Sequence, residues 1–203
     1  MKIICIGRNY ADHAKELNNQ LPENPVFFTK PDTCLLRNNQ AFYLPDFSKD
    51  IHYEIELVVK INRIGKNISA KFASRYYEEI GLGIDFTARD LQQKCKEKGL
   101  PWEISKAFDH SAPVSQFIAK SEFENIDDVN FHLEVNGEEK QRASSADMIF
   151  KIDEIISYIS QFFTLKIGDL IYTGTPAGVG PVKIDDHLTG YLEGRKLLDF
   201  KVK

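Results

Sequence analysis

The segment "HYEIELVVKI", residues 52–61, has the strongest strand pattern in the first half of the chain. Tyr53, Ile55 and Leu57 fall on one face of such a strand, and His52, Glu54 and Glu56 fall on the other. The two glutamates are then ~7 Å apart at Cα, twice the rise per residue. Two readings follow. On an exposed face they are an ordinary polar surface, where glutamate is commonest. On a buried face their desolvation and mutual repulsion demand a cation. All-oxygen ligands favour Mg²⁺, Mn²⁺ or Ca²⁺ over zinc.

Working outward, "KIICIG" predicts a short strand ending at Gly7, and "ADHAKELNN" a short helix. "PVFFTKP" reads as a strand closed by Pro31, and residues 32–50 as short strands and loops. In "SRYYEEIGLGIDF", Ile80, Leu82, Ile84 and Phe86 alternate, which puts Gly81, Gly83 and Asp85 on the opposite face. Thr87 is positioned to cap a helix through "ARDLQQKCKEK" that Gly99 ends. "VNFHLEVNGEEKQ" is a hairpin turning at Asn136-Gly137. "DMIFKIDEIISYISQFF" predicts one amphipathic helix, with Ile152, Ile155, Ile156 and Ile159 at helical spacing. "LIYTG" is a further strand after a Gly168-Asp169 turn, and "GYLEGRKLLDFKV" a closing hairpin. Strands outnumber helices, and most neighbouring strands read as antiparallel. The fold class is a β-rich α+β protein, read as a single domain over residues 1–203.

The composition fits a chain that can bury a core: 203 residues, 42% hydrophobic and 28% charged. Net charge is -4, and no basic block marks a nucleic-acid surface. The "QQKCKEKG" run reads as a solvated helix face. Cys5, Cys34 and Cys95 form no C-x-x-C pair, which argues against a disulfide framework and for a reducing compartment. No apolar run is long enough for a membrane helix, and the first residues do not read as a signal peptide. The expectation is a cytoplasmic protein without nucleic-acid or membrane partners.

Four other features carry chemistry. Asp85 follows a glycine-bearing strand and precedes a helix, so it reads either as a third metal ligand or as a helix cap. His13 and Glu16 are helix neighbours, either as a surface pair or as a carboxylate-oriented imidazole that can accept a proton. Lys106 either offers charge to an anionic substrate or snorkels to water. "TGTPAGVG" lacks the P-loop ending but can present backbone N–H groups to an anion.

Taken in order, "GRNYADHAKE", "HYEIEL", "GIDFTARDLQ", "KGLPWEISKAFDHSAPV", "DMIF" and "GDLIYTGTPAGVGP" resemble the fumarylacetoacetate hydrolase family. The likeness is to its small branch of acylpyruvate hydrolases and oxaloacetate decarboxylases, and it runs from about residue 3 to residue 203. The resemblance implies mixed β-sheets rolled into a barrel-like core with flanking helices, in a homodimer. It implies that Glu54, Glu56 and Asp85 hold one Mg²⁺ or Mn²⁺ per chain. It makes residues 8–20, with His13 and Glu16, a mobile lid over the substrate, and makes Lys106 a catalytic-site lysine. Arg8, Arg89, Gln92 and Thr175 match substrate-binding positions. Two departures stand out: His52-Tyr53 where relatives often have two histidines, and "DTCLLRNNQAFYLP" where they often carry a Ser-rich turn.

The implied chemistry is metal-dependent cleavage of a C–C bond in an acylpyruvate, a 2,4-dioxo acid, to pyruvate and a carboxylic acid. His13 and Glu16 would activate the water, and Lys106 would hold the developing oxyanion. Decarboxylation of oxaloacetate, or isomerisation or tautomerisation of a 2-oxo diacid, is the alternative on the same site. A metal-binding β domain without turnover, and a structural domain with Glu54 and Glu56 in water, are the non-enzymatic alternatives.

Overall fold

The computed structural model describes residues 1–16 and 20–203. A six-stranded mixed sheet organises the molecule, in the order Val26–Lys30, Ile3–Gly7, Leu170–Tyr172, Ile55–Ile61, Tyr77–Ile84, Ile118–Ala119. All its pairings are antiparallel except that of Ile3–Gly7 with Leu170–Tyr172. A four-stranded antiparallel meander contains Asn130–Val135, Glu138–Ser144, His187–Leu192 and Arg195–Lys201. Its two tight turns, at Asn136-Gly137 and Glu193-Gly194, take positive φ at both central residues, as the twist of a hairpin requires.

The meander packs on one face of the six-stranded sheet. Ile55, Leu57 and Val59 share a core with Phe131, Leu133, Leu188 and Leu198. The other face of that sheet is buried too, under a smaller cluster of Ile3, Cys5, Cys34, Val58, Ala112, Val114, Leu170 and Tyr172. The strand pattern follows: Ile4 and Ile6 feed one cluster, Ile3 and Cys5 the other. The β-rich α+β class is as read. The sheets wrap a common core, but none closes into a barrel.

Three local expectations change. Residues 52–61 are not one strand. Ile51–Tyr53 pairs with Thr87–Ala88 and Gly180–Pro181, while Ile55–Ile61 enters the large sheet. The break falls at Glu54, and the orphaned N–H of Ile55 donates to Gln141 Oε1 at 2.9 Å. The helix expected over 147–163 is confined to Ile152–Ile159. Lys151 N donates to Glu154 Oε2, and the preceding N–H groups of Ile149 and Phe150 turn instead to Asn9 O and Oδ1. Thr87 does not cap the next helix: it lies in a short strand, and Arg89–Lys98 begins after Ala88 with no side-chain cap. Gly99 does end that helix, in the left-handed conformation at φ 62°.

Of the helix expected around "ADHAKELNN", Ala11–Glu16 is helical; residues 17–19 lie outside the described residues. Among the described residues no helix is long and apolar enough to cross a membrane.

Candidate active site

The break at Glu54 sits where the two small and large sheets meet, and it turns the carboxylates inward. Glu54, Glu56 and Asp85 are 4%, 1% and 1% exposed, so the exposed-face reading of the opening strand is excluded. Glu56 and Val58 share the strand face that meets the smaller cluster. Asp85 follows Ile84, whose strand pairs with Glu54's neighbour Ile55, and Asp85 N donates to Glu54 O at 2.8 Å. This register brings one oxygen of each carboxylate within 4.8 Å of the other two. Asp85 caps no helix. The glycines beside it serve packing rather than ligand approach: a Cβ on Gly83 would stand 2.4 Å from the Tyr172 ring.

Three cations answer two of the three acids. Lys106 Nζ donates to Glu54 Oε2 and Asp85 Oδ2, both at 2.7 Å. Lys106 is 3% exposed, so it does not reach out to water. Arg89 Nη2 donates to Glu54 Oε1 at 2.6 Å, and its Nη1 to Gln92 Oε1 at 2.8 Å. Lys30 Nζ stands 2.6 Å from Asp85 Oδ1 and also donates to Ser111 O and Oγ. Glu56 receives no cation of its own; its Oε2 accepts the Gly174 N–H at 2.7 Å.

The acid–base balance of the cluster follows from these partners. Burial works against ionisation of Glu54, but Lys106 and Arg89 outweigh it and hold the carboxyl well below its usual range. Burial, then the charge of Asp85, pushes Glu56 well above its usual range despite the Gly174 N–H. Burial also opposes the charge on Lys106, but Asp85 and Glu54 hold its pKa above the ordinary lysine value.

The donor set fits a hard divalent cation. All three donors are carboxylate oxygens, they converge, and Glu56 is a buried acid without an ionic partner. Such an ion would supply the charge that Glu56 lacks.

His13 stands over this cluster on the Ala11–Glu16 helix. Its Nδ1 is 3.0 Å from Glu16 Oε2, and Glu16 Oε1 accepts the Gly178 N–H at 3.1 Å. His13 is buried, unlike a surface pair. Asn9 fixes the entry to this helix by donating to Thr173 O and Phe150 O and accepting from Phe150 N. Thr175 is held by Gln141, whose Nε2 donates to Thr175 Oγ1 and Pro176 O.

One cleft collects Arg8, His13, Glu54, Glu56, Asp85, Arg89, Gln92, Lys106 and Thr175. Glu16 touches it only through His13. Ile6, Val26, Phe28 and Trp102 supply apolar wall, and Lys106 Nζ lies 5.1 Å from the Phe28 ring centre.

Sequence reasoning passed over three residues of this region. Lys30 was a strand residue before a proline, and only its alternation with Phe28, across Thr29, hinted at burial. Gln141 was read as part of a hairpin edge, and nothing local tied it to the strand break. Lys96 is exposed, as the solvated-face reading expects, and it also lines the cleft mouth; its spacing of seven from Arg89 is the available signal.

Comparison with known proteins gives the family. The family model for the fumarylacetoacetate (FAA) hydrolase C-terminal region matches residues 2–201. The chain is 42% identical to the mitochondrial oxaloacetate tautomerase FAHD1 of Mus musculus, over 99% of this chain and 91% of that one. It is 45% identical to the mitochondrial oxaloacetate decarboxylase of Dictyostelium discoideum, over 90% and 84%. Among solved structures, fumarylpyruvate hydrolase from Pseudomonas aeruginosa, in complex with Mn²⁺ and pyruvate, superposes with a TM-score of 0.94 at 37% identity, covering 100% of this chain and 89% of that one. The chain is therefore an enzyme of the fumarylacetoacetate hydrolase family.

Proposed function

We propose that this enzyme interconverts the keto and enol forms of a small 2-oxo diacid of the oxaloacetate type. The observation that carries this reading is a buried imidazole and three buried carboxylates on the wall of one cleft. The named activities of the tautomerase and decarboxylase relatives support it. Glu54, Glu56 and Asp85 would hold Mg²⁺ or Mn²⁺. When bound, that ion supplies Lewis-acid polarisation of the substrate's carboxylate and 2-oxo oxygens.

The chain's own residues do the rest. Glu16 Oε2 accepts from His13 Nδ1–H, which fixes the ring and leaves Nε2 as the free base. Nε2 takes a proton from the carbon next to the ketone and delivers it to the former ketone oxygen to give the enol, and the reverse transfer restores the ketone. Lys106 offers a fixed positive charge to the oxygen on which negative charge develops. Arg8, Arg89, Gln92 and Thr175 orient the substrate's carboxylate groups. The Ala11–Glu16 helix, latched through Gly178 N–H, acts as a lid that lifts for entry and excludes water when down.

Hydrolysis of an acylpyruvate is the second reading. It is favoured by the same His13–Glu16 pair, which can deprotonate water, and by the fumarylpyruvate hydrolase neighbour. The test follows enol absorbance of oxaloacetate and pyruvate release together, with Mg²⁺ or Mn²⁺ present. The expected result is fast approach to the keto–enol equilibrium with little pyruvate formed. His13→Ala should slow it by about 10²–10⁴-fold. No acceleration by the wild type, or an unchanged rate in His13→Ala, contradicts the reading. Cleavage of acetylpyruvate outpacing tautomerisation would favour hydrolysis.

A further inference from the structure

Arg89, Gln92 and Lys96 lie at positions i, i+3 and i+7 of the Arg89–Lys98 helix, so they share the face that borders the cleft. Along that face the charges are used differently. Arg89 is spent on Glu54. Lys96 and Arg8, which also line the cleft, have no acid within ion-pair distance among the described residues. Arg8 stands just before the lid helix with φ 61°, a costly backbone state for a side chain other than glycine. Burial, then the charges of Arg89 and Arg8, lowers the pKa of Lys96, and all three cations line the one cleft.

Two cations without ionic partners on the wall of one cleft offer their charge to an anion that enters it. The inner wall, with the three carboxylates and Lys106, suits the chelating end of a 2-oxo acid. The cleft mouth lies farther out along the same helix face, by about two turns from Arg89 to Lys96. A ligand anchored inside and still anionic at its far end would reach it.

We propose that Lys96, assisted by Arg8, is the subsite for the second carboxylate of a 2-oxo diacid, and that it makes the enzyme select diacids over monoacids. This rests on the 2-oxo diacid reading above and names the residue that enforces it. Lys96 is a binding residue; it moves no proton.

L-malate and L-lactate test it directly, because both carry the 2-hydroxy acid end and differ only in the distal carboxylate. Each is titrated calorimetrically into Mn²⁺-loaded protein. The wild type should prefer malate by about tenfold or more, the value of one charge-assisted hydrogen bond. Lys96→Met should remove most of that preference by weakening malate alone, Lys96→Arg should keep it, and Lys94→Met, on the same helix but outside the cleft, should not alter it. Methionine is a good helix former at an exposed position, so the variant folds. No malate preference in the wild type overturns the proposal. So does a Lys96→Met variant that keeps the preference or weakens both ligands equally. The titration needs no turnover. A Lys96-dependent preference in an enzyme that leaves oxaloacetate unchanged would sink the tautomerase reading and keep the subsite; tautomerisation with no Lys96-dependent preference would do the reverse.

Discussion

Arg142 and Glu139 meet on the outer strand of the meander, each with about half its side chain in water. Lys30 and Asp85 meet 2.6 Å apart at the end of the six-stranded sheet, at 0% and 2% exposure. Both are ion pairs, but water stabilises the separated charges only in the first. On the surface either partner can be lost cheaply. In the interior each charge exists because the other is there, and the loss of one strands its neighbour. The meander is thus a scaffold with a tolerant surface, and the carboxylate end is a set of mutually dependent charges whose converging oxygens fit a divalent cation.

The sharpest way to break this contrast is Lys30→Met. It leaves Asp85 with Lys106 alone, and chemical denaturation should show a loss of about 3–5 kcal/mol. A loss below about 1 kcal/mol would erase the distinction between the two regions. Gln141→Leu should come next. It removes the acceptor for Ile55 N–H and the donors to Thr175 and Pro176, and should cost about 1–3 kcal/mol in the same measurement. If it costs nothing, the break at Glu54 is held by something other than Gln141. The smallest effect belongs to Arg142→Ala, at about 0–1 kcal/mol and shrinking further in high salt. A large, salt-insensitive loss there would show the meander surface to be as interdependent as the interior.

The same contrast explains what was legible in the sequence. Alternation read the meander well, because Phe131, Leu133 and Val135 go inward while Asn130, His132 and Glu134 do not. Asn136-Gly137 announced its turn through backbone chemistry alone. Alternation left residues 52–61 open between two readings, because both faces of Ile55–Ile61 are covered and the polar Glu56 is buried rather than in water. The strand break at Glu54 depends on Gln141, which is 86 residues beyond the Ile55 N–H it accepts, and no local pattern encodes that.

The candidate residues named from ordered family-like motifs all lie at one cleft except Glu16, which reaches it through His13. Lys30 and Lys96 escaped for opposite reasons. Lys30 looks like a strand-end lysine and is fully buried by partners from distant segments. Lys96 sits in a lysine-rich run in which Lys94, Lys96 and Lys98 are all exposed, and composition does not mark it as the one that also borders the cleft. The amphipathic helix was overextended because Met148 and Ile149 match its period. Asn9 captures the N–H groups of Ile149 and Phe150 before the helix can begin.

The central claim is that Glu54, Glu56 and Asp85 form one divalent-cation site. Calorimetric titration of chelator-treated protein with Mn²⁺ tests it most directly, in the wild type and in Glu56→Gln, which keeps the shape of the side chain and removes its charge. The account predicts one ion bound per chain in the wild type and binding abolished or strongly weakened in the variant. A wild type that binds no ion, or a variant that binds it equally well, would contradict it.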